Sequence, residues 1–139
     1  MLAIPAAALA NEASFLRAVN LNGPALTIDG RPWDGAEAGD FAATGNSFEN
    51  QKVPLKPPAD AARTQMIRSS RWGDKIDVSF SKVPSGKYQV FLYVWEDNQS
   101  ERFKLLVNDA LVVESFVSGS AGTWKKLGPW ICESVDGKI

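Results

Sequence analysis

The side chains best suited to chemistry in this chain are five tryptophans and a short acidic loop. Trp72 lies between Arg71 and Gly73-Asp74, a position typical of a strand end. A sugar offers apolar C–H faces and a rim of hydroxyls, so its site needs a flat aromatic ring and planar carboxylates or amides. Trp72 is therefore a candidate stacking platform, and the alternative is that its ring covers the rim of the core.

The acidic loop begins directly after Trp95 and contains Glu96, Asp97, Asn98 and Glu101. Two carboxylates act as a glycosidase pair only when a defined distance separates them across a cleft. Neighbouring residues of an extended chain point apart, so one loop rarely provides that distance. We expect Glu96, Asp97 and Asn98 to bind hydroxyl groups or to cap a turn. Trp95 is either a second platform beside them or the cover of one sheet face.

The other aromatic residues and Arg71 are weaker candidates. Trp124 follows a glycine-rich loop and suits binding and packing equally, whereas Trp33 and Trp130 suit packing better. Phe48 lies in an amide-rich segment that could line a polyol site or bond to its own backbone. Arg71 could pair with a nearby carboxylate or with a sugar oxygen.

Two features of the composition exclude several classes of enzyme. The chain has no histidine, which removes Ser-His-Asp triads and histidine-ligated metals. Its one cysteine, Cys132, can form neither an internal disulfide nor a thiolate zinc site, and we expect it to be a small apolar filler. Oxygen ligands remain, so the composition leaves room for a structural calcium ion and indicates no other cofactor. We predict that the chain is not an enzyme.

Length and charge indicate one globular domain that does not bind nucleic acid. The 139 residues suit a single domain, and 45% hydrophobic with 22% charged residues suits a packed core. The formal net charge is −1, whereas nucleic-acid binders normally carry a basic face. No apolar run approaches the roughly 20 residues of a membrane span. Residues 1–14 are expected to be a linker or short helix, with a clipped export signal as the alternative.

Short extended segments separated by turn residues predict an all-β protein. Ile76, Val78 and Phe80 alternate with polar residues, which is the pattern of a half-buried strand. Residues 88–95 are apolar at both alternating sets, which predicts a central strand of a sandwich. Further strands are expected at residues 15–20, 26–28, 66–70, 103–107, 111–116, 124–130 and 131–135.

Other segments are predicted to form loops and turns. Residues 36–50 show no sustained period, which indicates a long loop. The prolines of residues 53–58 exclude a helix or a central strand. Residues 60–64 could form one helical turn. Lys138 and Ile139 begin a strand, so we expect an exposed sheet edge and edge-strand association.

Several segments, taken in order, resemble malectin and malectin-like domains. They are Val-Asn-Leu-Asn-Gly at 19–23, Ile-Asp-Gly at 28–30 with Trp33, the Gly-x-Tyr strand within 84–96, residues 103–109, and Ala-Gly at 121–122. The similarity covers about residues 17–139. It looks closer to bacterial relatives in multidomain secreted proteins than to animal malectin.

This resemblance implies a galactose-binding-like jelly roll, an antiparallel β-sandwich formed by residues 15–139, and a carbohydrate-binding role. It places Trp72 where the family has a tyrosine, and Asp97 with Asn98 where the family has an aromatic pair. It also implies a final strand after residues 136–137, which is either truncated in this chain or supplied by another chain.

The residues and the resemblance together predict a non-catalytic carbohydrate-binding module that recognises a glucan or related glycan. It would belong to a larger extracellular, periplasmic or cell-surface protein, whose other domains are its partners. The candidate binding residues are Phe48, Arg71, Trp72, Trp95, Glu96, Asp97, Asn98 and Trp124. The alternative is a protein-interaction or scaffolding sandwich, because exposed tryptophans also anchor protein interfaces.

Overall fold

The computed structural model describes residues 13–139, which form ten strands and one short helix. All strand pairs are antiparallel, so the predicted all-β antiparallel class is confirmed. The expectations for residues 1–12 lie outside the described part. In chain order the elements are β1 Leu26–Ile28, β2 Arg31–Trp33, β3 Phe41–Ala43, β4 Asn46–Glu49, α1 Ala61–Arg68, β5 Ser69–Trp72, β6 Val78–Phe80, β7 Lys87–Trp95, β8 Arg102–Val107, β9 Ala110–Val117 and β10 Trp124–Glu133.

The segment 36–50 corrects a prediction, because it contains two strands and is not one long loop. β3 pairs with β6, and β4 pairs with β5, where Asn46 lies opposite Trp72. The backbone N–H of Thr44 donates to the carbonyl of Asp77 at 2.9 Å and extends the β3–β6 ladder by one position. Ladder bonds stabilise this segment although its sequence has no apolar alternation, which is why the pattern did not reveal it.

The helix α1 corrects the prediction of a single helical turn followed by a strand from residue 66. Asp60 is the N-cap, and its carboxylate accepts from the backbone N–H of Arg63 at 3.0 Å. The helix contains Ala, Arg, Gln and Met, which are good helix formers. Met66 and Ile67 are therefore buried residues of a helix, and β5 begins only at Ser69.

The later strands follow the sequence pattern closely. β8 and β9 form a hairpin across Asn108 and Asp109, both of which have the positive φ that a tight two-residue turn requires. β10 is one strand where two were expected, and it pairs with β7 across a bulge at residues 128–129. Gly128 has φ +104°, and a Cβ there would lie 2.5 Å from the Val90 carbonyl, so the bulge requires glycine. The strand expected at residues 15–20 makes only one isolated bridge, from Val19 to Asp34.

The packed core lies where α1 and the β1–β2 hairpin meet one end of β7. Its buried members are Ile28, Leu55, Met66 and Ile67. Half-buried side chains pack against them, namely Leu26, Trp33, Ala59, Ala62, Tyr93, Trp95 and Trp124. The aromatic end of β7 is therefore the part of this strand that the chain covers.

The whole length of β7 borders a cavity of about 1040 Å³. Its walls include all of β7, Ile76, β6 residues Val78 and Phe80, and part of β8. Phe91, in the middle of β7, is 43% exposed. None of residues 13–139 forms a helix long and apolar enough to cross a membrane.

Candidate functional site

The most exposed of the candidate tryptophans is Trp72, at the end of β5, whose surface is 57% accessible. Asn46 lies opposite Trp72 on β4, and Phe48 lies opposite Ser70 one pair further along. Side chains of a ladder alternate between its two faces, so these four residues share one face. An exposed indole and an exposed amide are thus neighbours on the surface, with Phe48 half-buried behind them.

Arg71 holds this ladder in place and does not point a free guanidinium at a ligand. Its Nε donates to the Leu21 carbonyl at 3.0 Å, and its Nη1 donates to the Gly45 carbonyl at 3.2 Å. Gly45 has φ +89°, and a Cβ there would lie 2.9 Å from the Trp72 carbonyl. These bonds fix the backbone on which Trp72 stands, and a sugar contact of Arg71 stays a prediction.

The turn after Val19 supports the same ladder from the other side. Asn20 is fully buried, and its side-chain amide donates to the Pro24 carbonyl at 3.1 Å. Asn22 donates to the Phe48 carbonyl at 3.0 Å. The Asn-Leu-Asn-Gly sequence thus positions β4, which the amino-acid pattern alone did not indicate.

Trp95 and Trp124 are half-buried and pack against the core, so their role as ligand platforms stays a prediction. The Trp95 ring lies 6.3 Å from the Phe48 ring, tilted by 35°. Trp124 stacks on Tyr93 at 5.9 Å, and its Nε1 donates to the Pro57 carbonyl at 2.7 Å. Trp33 meets Tyr93 edge-on at 5.7 Å, so the expected packing role of Trp33 is confirmed.

Glu96 is buried and organises its own loop, and its assignment as a hydroxyl ligand stays a prediction. Only 6% of its surface is accessible. Its Oε2 accepts from the Ser118 hydroxyl at 2.6 Å, and its Oε1 accepts from the Asn98 N–H at 3.0 Å. A buried carboxylate is stabilised by such bonds. One oxygen of Glu96 closes its own loop, and the other connects the loop to Ser118, the residue after β9.

The next two residues of the loop are the ones that remain accessible. Asn98 is exposed, and its side-chain oxygen accepts from the N–H of Gln99. Asp97 is half-buried, and its carboxylate makes no hydrogen bond or ion pair within residues 13–139. The loop therefore offers one unoccupied carboxylate and one partly used amide.

Metal and thiol chemistry find little support in the part of the chain that the structure describes. In residues 13–139 no group of three acidic or cysteine side chains converges as a metal site would require. Cys132 is half-buried in β10, and burial raises the pKa of its thiol. A raised pKa keeps the sulfur protonated and less nucleophilic, in line with a packing role.

Comparisons of the chain with protein-family models, with curated proteins and with solved structures found no match.

Proposed function

We propose that the chain is a non-catalytic carbohydrate-binding module whose ligand stacks on Trp72. The observation that supports this proposal is an exposed indole opposite an exposed amide on a ladder that Arg71 holds rigid. Rigid aromatic surfaces bind ligands at a small cost in conformational entropy.

The chemistry of a sugar matches this pair of groups. The C–H face of a pyranose covers the apolar indole, while the Asn46 amide both donates to and accepts from ring hydroxyls. Asn46 makes no side-chain hydrogen bond within residues 13–139, so its donors and acceptor are available. Asp97 is a second acceptor if a longer glycan reaches the loop after β7.

The fold and the setting belong to the same proposal. A malectin-like, galactose-binding-like jelly roll brings the ends of its strands to one edge, and the loops at that edge carry the residues that contact the ligand. Such modules sit in larger extracellular, periplasmic or surface proteins and attach the other domains to a glycan. In this proposal Phe48, Trp95, Glu96 and Trp124 support the site and do not touch the sugar.

Calorimetric titration with soluble gluco-oligosaccharides, preceded by a glycan array, tests the proposal. Trp72→Ala should weaken binding at least ten-fold, about 1.4 kcal/mol or more, and Trp72→Tyr should retain most of it. Leu111→Ala is the matched control, since Leu111 is 55% exposed on β9. Equal loss in both variants, or no binding to any glycan by the parent, would overturn the proposal.

Protein interaction is a second candidate, because large apolar side chains are exposed on several strands. Beside Trp72, the largest exposed fractions among large apolar residues belong to Ile131 at 65%, Val135 at 58%, Leu111 at 55% and Leu16 at 54%. Contiguous exposed apolar surface commonly marks an interaction site. Retention of a protein partner that free sugars fail to displace would favour this candidate over the first.

A further inference from the structure

The loop between β7 and β8 carries the one Asn-x-Ser/Thr sequence of this chain, Asn98-Gln99-Ser100. With any residue except proline in the middle, this triplet is the acceptor sequence for N-linked glycans in exported proteins. Each of the other six asparagines is followed two positions later by alanine, asparagine, proline, phenylalanine or lysine. Asn98 is therefore the one asparagine whose neighbours permit this modification.

The structure places the whole triplet at the surface, which the sequence alone does not establish. Asn98, Gln99 and Ser100 are all exposed, although Glu96, two residues before Asn98, is buried. The chain thus turns outward at Asn98. A glycan is bulky and strongly hydrated, so the folded protein accommodates one only at an exposed position of this kind.

The side-chain nitrogen of Asn98 is free to carry a substituent. Its oxygen accepts from the N–H of Gln99, whereas its Nδ2 makes no hydrogen bond within residues 13–139. An N-linked glycan replaces one hydrogen of this nitrogen and leaves the oxygen unchanged. Asn20, Asn22 and Asn108 instead donate through Nδ2 to backbone carbonyls, at 3.1, 3.0 and 2.7 Å. A substituent would disturb the fold at these three asparagines and not at Asn98.

The backbone of the loop is anchored by groups that a glycan on Asn98 would leave intact. The N–H of Asn98 donates to Oε1 of Glu96 at 3.0 Å, and the N–H of Glu101 donates to the Ser118 hydroxyl at 2.7 Å. Both bonds involve main-chain donors and buried or half-buried acceptors. The loop therefore keeps its shape while the Asn98 amide faces solvent.

We propose that Asn98 is the attachment site of an N-linked glycan. The co-reactant is an oligosaccharide joined through pyrophosphate to a membrane lipid, and a transferase of the export route binds both substrates before the loop folds. Nδ2 of Asn98 forms a bond to C1 of the first sugar while the bond between C1 and the pyrophosphate oxygen breaks. The lipid pyrophosphate leaves with that electron pair, and one Nδ2 proton passes to a basic group of the transferase.

This inference rests on the export that the proposed function includes, and it does not depend on the Trp72 platform. The glycan on Asn98 is covalent and lies on the loop after β7, whereas the proposed ligand stacks reversibly on β5. The two therefore respond to different substitutions. Trp72→Ala should leave the glycosylated fraction of the protein unchanged.

Mass spectrometry of the full chain, produced in a eukaryotic cell line behind an export signal, tests the site. Secreted and retained protein are both digested, so that a variant that folds poorly is still scored. Peptide N-glycosidase in isotopically labelled water converts a glycosylated asparagine to aspartate and marks the new carboxylate with heavy oxygen. We expect this label at position 98 and at no other asparagine.

Two matched pairs of variants separate the acceptor sequence from the loop as such. Gln99→Pro and Ser100→Ala should each lower the glycosylated fraction at least ten-fold, whereas Gln99→Ala and Ser100→Thr should retain it. An unmodified Asn98 in the parent protein, or a glycan that survives both disruptive variants, would overturn the inference. Calorimetric titration of glycans uses unglycosylated protein from bacterial cytoplasm, so a failure of the proposed function is scored separately.

Discussion

The two ends of β7 differ in how the chain covers them. Tyr93 and Trp95, at the carboxyl end, pack against Met66 and Ile67 of α1. Phe91, only two residues from Tyr93, is 43% exposed beside the cavity. One strand with apolar residues on both faces is thus closed at one end and open at the other.

The difference arises from what each end receives from the rest of the chain. α1 and the β1–β2 hairpin bring aliphatic side chains to the aromatic end, and Arg63 joins helix and hairpin through Asp29. The hydrogen bond to Asp29 raises the pKa of Arg63, so this cation stays charged. At the other end, Lys87, Gln89 and Phe91 are exposed, whereas Leu92 to Trp95 are half-buried. Apolar content alone does not complete a core, because packing needs a second surface.

The largest expected change in the free energy of unfolding comes from truncating a side chain in the packed core. Ile67→Ala removes a side chain that is 3% exposed and should lower the free energy of unfolding by about 2–5 kcal/mol. Val78→Ala, at the open end, should cost less than about 1 kcal/mol. Urea unfolding followed by circular dichroism measures both. Similar losses in the two variants would mean that the cavity wall is packed in solution.

A second comparison uses two glycines with positive φ. Gly122 has φ +90°, and a Cβ there would lie 2.2 Å from the Pro54 carbonyl beside the packed end. Gly30 has φ +72° with open space around it. Gly122→Ala should cost roughly 3 kcal/mol and Gly30→Ala about 1–2 kcal/mol, the latter from backbone conformation alone. Thermal melts rank the two variants by their loss of stability. A larger loss for Gly30→Ala than for Gly122→Ala would contradict the close approach at Gly122.

A smaller loss of stability is expected when the buried carboxylate of Glu96 loses one hydrogen-bond donor. Ser118→Ala removes the hydroxyl that donates to Glu96 and should cost about 1–3 kcal/mol. Ser85→Ala, at an exposed turn, is the control and should change stability by less than about 0.5 kcal/mol. Urea unfolding of the two variants is the measurement. No difference between them would return Glu96 to the list of candidate ligands.

The smallest effect on stability is expected at Trp72. Because its ring is exposed, Trp72→Ala should change the free energy of unfolding by less than about 0.5 kcal/mol, while sugar binding falls. Urea unfolding beside the calorimetric titration checks this. A loss of several kcal/mol would show that the indole packs in the core and is no platform.

The strands were predictable where local pattern and tertiary packing agree. The sequence pattern predicted β7, β8 and β9 to within one residue at every end. The sequence predicted only one turn of α1, at residues 60–64, because the apolar pair Met66 and Ile67 suggested a strand. Asp60, shortly after two prolines, is nevertheless an N-cap signal. β3 and β4 carry no apolar period, so only their partners on β5 and β6 define them.

The site was predictable in part. The exposure of one tryptophan at a strand end agrees with the sequence, which left platform and rim as alternatives for Trp72. The roles of Glu96 and Arg71 could not be foreseen. Ser118 is 22 residues from Glu96, and Leu21 is 50 residues from Arg71, so only the folded chain brings these partners together.

Amide hydrogen exchange along β7, resolved by NMR, tests the central contrast most directly. Exchange of the free protein should be slow for alternate β7 amides that donate to β10 and fast for the intervening ones at the open end, residues 87–91. Amides of α1 near Ile67 should exchange slowly as well. Uniformly slow exchange at every amide of residues 87–91 would contradict the open end.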